Sequence, residues 1–182
     1  MSEYVSLLEK FQAKAQARLE QFRARMRVKI AQDVLATMKG MRIDKGAFVK
    51  PDDPWELPKD DSKAAARRLQ KNKTCRVCAL GACFLSVIKL DNKFLGSWRD
   101  LIRAGEEISD RLGDFFDMDQ LKLIENAFEL GRGWFTSDGS VNRLEGLDVT
   151  RAVQFGERYD KDENRLKAIM KNIIKNGGTF KP

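Results

Sequence analysis

Apolar residues recur at Leu8, Phe11, Ala15, Leu19, Phe22, Met26, Ile30 and Val34, always three or four positions apart. That spacing draws one apolar stripe down a helix over roughly residues 6–38, with Lys, Arg and Gln filling the other faces. Gly40 stands where a glycine commonly closes a helix. At 1.5 Å per residue such a helix is about 50 Å long, more than a small domain can cover. Its first part is expected to project, or to pair with another chain as a coiled coil. Docking back onto its own domain is the competing arrangement.

The pattern breaks between residues 41 and 61, where Pro51, Pro54 and Pro58 sit among Asp52, Asp53, Asp60 and Asp61. A proline lacks the amide donor and disfavours helix just before it, so a loop is predicted, anchored on the core by Trp55. Asp61 or Ser62 caps a short basic helix from Lys63 to Lys71. From Thr74 to about Leu90 nearly every position is apolar, which predicts a buried central helix; a buried strand pair is the alternative. Gly81 within it would let a neighbouring helix come close. Further on, Ser97 can cap a helix over 98–104 that continues toward Leu112. Asp117 with Gln120 opens another, striped by Leu121, Ile124 and Phe128. Trp134 and Phe135 lie between glycine- and serine-rich turns and read as a loop or small hairpin. Thr150 caps a short helix to Phe155. Asp160 with Glu163 caps the last helix, whose inner face is Leu166, Ile169, Met170, Ile173 and Ile174, and which Asn176-Gly177-Gly178 ends. The predicted fold is all-α: a single helical domain with a long N-terminal amphipathic helix and at most one small β-hairpin near 134–141. It divides into a basic amphipathic helical extension over 1–30 and a globular helical domain over 31–182.

Composition sharpens this. The chain has no histidine, which removes Cys–His and Ser–His–Asp catalysis and histidine-containing metal sites. Its three cysteines are an odd, clustered set, not a disulfide framework, and read as reduced thiols. No run approaches the roughly 18–20 uncharged apolar residues of a membrane span. Met1-Ser2-Glu3-Tyr4 lacks the start of a secretory signal. A cytoplasmic protein with no membrane contact is expected. The net charge is +7, and its placement matters more than its size. Residues 1–30 carry seven Lys/Arg against three Glu, and residues 31–75 carry ten against seven acidic residues; from Arg76 onward the two signs balance at 17 each. The surplus therefore lies upstream of the cysteines. It suits an anionic partner such as nucleic acid or a nucleotide, against the plainer reading of a solvated helix face.

Cys75-Arg-Val-Cys78-Ala-Leu-Gly-Ala-Cys83 is the most unusual stretch. The pair Cys75 and Cys78 is half of a zinc site with no other half, so no metal is expected. A redox pair is the next reading. With Thr74 as cap, both thiols would lie in the first helical turn, where the helix dipole and nearby cations lower a thiol pKa. Small residues packing a central helix is the preferred reading. Arg67, Arg68, Lys71, Lys73 and Arg76 gather at the start of that helix, and free amides beside four or five cations could hold a phosphate; surface solubility is the alternative. Leu8, Phe11, Leu19, Phe22 and Met26 form the candidate partner-binding face. Nothing assembles a general acid–base pair, and no catalytic residue or cofactor is implied.

Three stretches carry a resemblance. They are Asp33-Val-Leu-Ala with its following loop to Val49, Cys75-Arg-Val-Cys78-Ala-Leu-Gly-Ala, and the closing segment from Gly156-Glu-Arg-Tyr159 through Arg165-Leu-Lys-Ala-Ile-Met-Lys-Asn-Ile-Ile to Gly178-Thr-Phe-Lys-Pro. Together they resemble a family of short bacterial and bacteriophage proteins of unassigned function, over about residues 28–182. The resemblance implies a small cytosolic protein of a prokaryote or an infected host cell, and transfers no site. The functional expectation is a non-enzymatic binding or regulatory protein. It would self-associate, or dock on a host or defence component, through residues 1–30. Nucleic-acid or nucleotide binding through the basic arm and the Arg67–Arg76 cluster is the alternative, and thiol or metal chemistry the second alternative.

Overall fold

The computed structural model describes residues 2–58, 61–91, 110–132 and 146–182. The side chain of Trp55, the helix expected from Trp98 and the hairpin expected near 134–141 lie outside the described part. The chain is mainly helical. Helix α1 runs unbroken over Ser2–Thr37 and tightens into a 3-10 turn at Met38–Gly40. Strands β1 (Arg42–Ile43) and β2 (Val49–Pro51) follow, then a 3-10 turn at Pro54–Glu56, helix α2 (Ser62–Leu69) and strand β3 (Cys75–Val77). Helices α3 (Ala79–Asp91), α4 (Met118–Glu129), α5 (Gly146–Glu157) and α6 (Asp162–Lys175) complete the described elements.

α1 ends where the sequence pattern places it, though Gly40 acts through its size. A Cβ there would lie 2.1 Å from the Gln70 carbonyl oxygen, so the glycine lets the end of α2 pack directly on the exit of α1. The Gly40 carbonyl in turn accepts from the Lys73 amide at 2.8 Å.

Residues 41–77 depart most from the all-helical expectation. β3 is the central strand of a three-stranded sheet, parallel to β1 and antiparallel to β2. The helix predicted from Thr74 therefore starts only at Ala79. Cys75 and Val77 are buried and Arg76 is exposed, as the two faces of a strand require. An apolar run of this length does not by itself separate a strand from a buried helix. The break comes from Asn72 and Lys73, both in the left-handed region (φ 60° and 55°), which reverse the chain after α2.

α3 is the core. Every residue from Ala79 to Ile88 is buried, and α1, α2 and α4 pack around it. Gly81 admits a loop rather than the helix expected: a Cβ there would sit 1.6 Å from the Phe48 carbonyl oxygen. α4 pairs chiefly with α5, and α6 lies against α1. Asp61 caps α2 by accepting from the Ala64 amide at 2.8 Å, and Asp117 caps α4 by accepting from the Gln120 amide at 2.7 Å. Two expected caps move. α5 starts at Gly146, which leaves Thr150 inside it, and α6 starts at Asp162, with Lys161 rather than Asp160 in the cap position.

Candidate functional site

α1 has two environments. From residue 7 to residue 22 every position is exposed, and burial begins at Arg23. The boundary between arm and body thus falls at Phe22/Arg23 inside a continuous helix, and residues 23–30 belong to the body. Leu7, Leu8, Phe11, Leu19 and Phe22 all stand exposed, Leu8 by 59 % and Phe11 by 63 %. Met26 is partly buried and packs on the core, while Ile30, Ala31 and Val34 are fully buried. Four of the five residues expected to bind a partner thus form one open stripe, and the fifth belongs to the fold.

The base of the arm is clamped by a buried arginine. Arg27 donates from Nε to the Gly178 carbonyl at 2.6 Å and from Nη1 to the Phe115 carbonyl at 2.7 Å, and pairs through Nη2 with Glu20 at 2.5 Å. Arg23 donates to the Asp114 carbonyl at 3.0 Å, and the Phe22 ring lies 6.5 Å from that of Phe115. Two of the seven cations in residues 1–30 are therefore structural, which the net charge does not reveal.

The thiols behave opposite to the redox expectation. Cys75 is in a strand, Cys78 links β3 to α3 and Cys83 is inside α3; all three are free and buried. Burial pushes each thiol up to about 12. A thiol held that high carries almost no thiolate near neutrality and is a poor nucleophile. The lowered pKa expected of Cys75 and Cys78 required a helical first turn, and that turn is not there. Among the described residues no three of His, Cys, Asp and Glu come together as a metal would need.

The basic cluster loses its helix terminus in the same way. Arg67 and Arg68 sit in the last turn of α2, where cations offset the negative end of a helix. Arg68 also pairs with Glu56 and donates to its carbonyl at 2.8 Å, while Arg76 pairs with Asp44 at 3.5 Å. Arg67, Lys71 and Lys73 are exposed. The first residues of α3 are buried, with Phe48 against Gly81 and the Cys78 amide bonded to the Ala47 carbonyl at 2.5 Å. No anion reaches those amides.

Two polar networks have no signal in the sequence pattern. Asp33 on α1 accepts from Ser86 at 2.8 Å and Gln70 at 3.3 Å, and pairs with Lys89. It ties α1 to α2 and α3, and Ser86 is too buried to meet a substrate. Glu129 at the end of α4 accepts from the Gly46 amide at 2.9 Å. Burial, reinforced by Glu125 and Asp162, raises its carboxyl to about 7, against the opposing pull of the Gly46 amide and Lys45. Each network joins residues dozens of positions apart, beyond any local pattern.

The chain matches no protein-family model, no curated protein sequence and no solved structure. Among the described residues no helix is long and apolar enough to cross a membrane.

Proposed function

We propose that this is a non-enzymatic docking protein whose projecting arm, residues 7–22, receives an amphipathic helix with an acidic edge from a partner protein. The observation that carries this reading is the open apolar stripe of Leu7, Leu8, Phe11, Leu19 and Phe22, which holds five of the seven exposed large apolar side chains among the described residues. Contiguous exposed apolar surface of this kind marks interaction sites. The arm rises about 24 Å, room for roughly sixteen residues of a second helix.

Charge placement selects the occupant. At about 100° per residue, Lys14 and Arg18 fall along one edge of the arm's stripe, Gln12 and Gln16 along the other, and Glu9 and Glu20 farther round the helix beyond Gln16. An antiparallel second copy of the arm would set cation against cation and glutamine against glutamine, and a parallel one would offer the cation row only Glu9, which lies just beyond Gln16. A partner bearing Asp or Glu beside its apolar face pairs with the cation row. A flat lipid surface laid on the stripe would meet the body, because Phe115 stands beside the stripe at Phe22. A phage or prophage setting, with a host or defence component as the target, rests on the family resemblance alone.

The test is fluorescence anisotropy of the full chain against a synthetic helix with a Leu/Ala seam and Glu edges, beside the same helix with Lys edges. The acidic helix should bind, the basic one should not, and Phe11→Ser with Leu19→Ser should abolish binding. Failure of the acidic helix to bind would refute the reading. So would a dimeric mass by light scattering that this double variant converts to monomer, or capture of the chain by anionic vesicles.

A further inference from the structure

The turn between α5 and α6 brings Phe155 and Tyr159 beside the outward side of α6, and between them opens a groove of about 520 Å³. Its α6 wall carries Lys167, Lys171 and Lys175, spaced one turn apart and all exposed. None of the three has an ion-pair partner among the described residues. Like charges four residues apart repel, although Lys175 in the last turn faces the negative end of the helix.

The aromatic side of the groove is fixed in advance. The Phe155 ring meets Phe180 edge-on at 5.2 Å and lies 5.8 Å from the Tyr159 ring. The Arg158 guanidinium stands 5.7 Å over the Phe155 ring. Tyr159 is half-buried, and its carbonyl is held at 2.7 Å by Arg165, a buried residue that also binds the Gly156 carbonyl at 3.0 Å and Asp162 at 2.5 Å. Asn172 pins the chain end by bonding both the amide and the carbonyl of Lys181.

We propose that this groove binds single-stranded nucleic acid, the lysine row following the phosphates and the Tyr159 ring stacking on a base. Cations repeating about every 6 Å along α6 suit successive phosphates of an extended strand. A charged track beside an aromatic platform is the general arrangement for binding single strands without sequence preference. The Arg67–Arg76 cluster differs in kind, since two of its five cations are already paired with carboxylates.

Anisotropy of labelled oligothymidylate and oligouridylate of about 20 nucleotides, each titrated with the full chain over a range of salt, tests the groove. Binding by either strand supports it, and the tighter one assigns DNA or RNA. Lys167→Gln with Lys171→Gln and Lys175→Gln should weaken binding at least about tenfold and flatten the salt slope by about two, at roughly 0.7 per phosphate contact. A charge-matched control, Arg67→Gln with Lys71→Gln and Lys73→Gln, should stay within about threefold of the unaltered protein, since it leaves the groove intact. Tyr159→Leu, checked for an unchanged melting temperature, should lose about fivefold or more. Absence of binding at low salt, or equal loss in the groove variant and its control, would overturn the proposal. Equal affinity of Tyr159→Leu and the unaltered protein for both strands would do the same, because stacking would then contribute nothing.

Discussion

The two halves of α1 share one apolar rhythm and meet opposite fates. Over residues 23–37 the stripe is buried against α3 and α6, and Ile30, Ala31 and Val34 are fully enclosed. Over residues 7–22 side chains of equal apolarity stand in water. Intrinsic helix preference does not explain the difference, since the exposed half has no β-branched residue while the docked half carries Val28, Ile30, Val34 and Thr37. What separates them is how far the body reaches. Periodicity reports that a helix has a face to bury; whether that face is buried depends on what the rest of the chain brings to it.

Substitutions can break or sharpen this contrast. Ile30→Ala opens a cavity in the docked half and should lower unfolding free energy by about 2–5 kcal/mol, read from urea denaturation. Arg27→Met strips the clamp at the junction and leaves the Gly178 and Phe115 carbonyls without their donor. It should cost about 2–3 kcal/mol and speed amide exchange in the first turns of the docked half.

A rise in pH toward neutrality acts on the body and spares the arm. Glu129 rises from the usual 4.5 to about 7, so the folded protein favours its neutral form. As pH climbs from about 4.5 to 7 the unfolded chain ionises first, and the body loses stability until the loss is complete above about 7. Glu129→Gln removes the ionisation. It should melt higher than the unaltered protein at alkaline pH and coincide with it near pH 4, with arm exchange rates unchanged. The smallest effect belongs to the arm itself. Phe11→Ser with Leu19→Ser should move stability by no more than about 0.5 kcal/mol, while removing any partner that sits there. A loss as large as that of Ile30→Ala would mean the two halves are not different after all.

Much of the fold can be read from the sequence because it is written locally. The stripe of α1, its end near Gly40, the caps at Asp61 and Asp117, and the inner face of α6 each follow from residues within a few turns of one another. The sheet cannot be read in that way. β1, β2 and β3 are two or three residues long, too short to display a period, and the apolar run through Cys75–Cys78 joins a strand to a helix without a polar break. The strand at Cys75–Val77 also decides the chemistry, since both a lowered thiol pKa and a phosphate site require a helix starting at Thr74. The carboxylate networks at Asp33 and Glu129 depend on partners from distant segments and leave no local trace. The periodicity predicts a projecting or pairing face, but its boundary at Phe22 is set by how far Phe115 and Gly178 reach.

Between Ser2 and Thr37 there is neither a glycine nor a proline, and no break in the helix. The arm therefore has no joint. It behaves as a stiff lever rooted among Ile30 and Val34, so a load taken up near Leu8 arrives at the core as torque rather than being absorbed by a bend. Tilting the root slightly sweeps the tip through a much larger arc. Whatever grips the tip is held at a set angle to the rest of the molecule, and the arm serves as both handle and gauge.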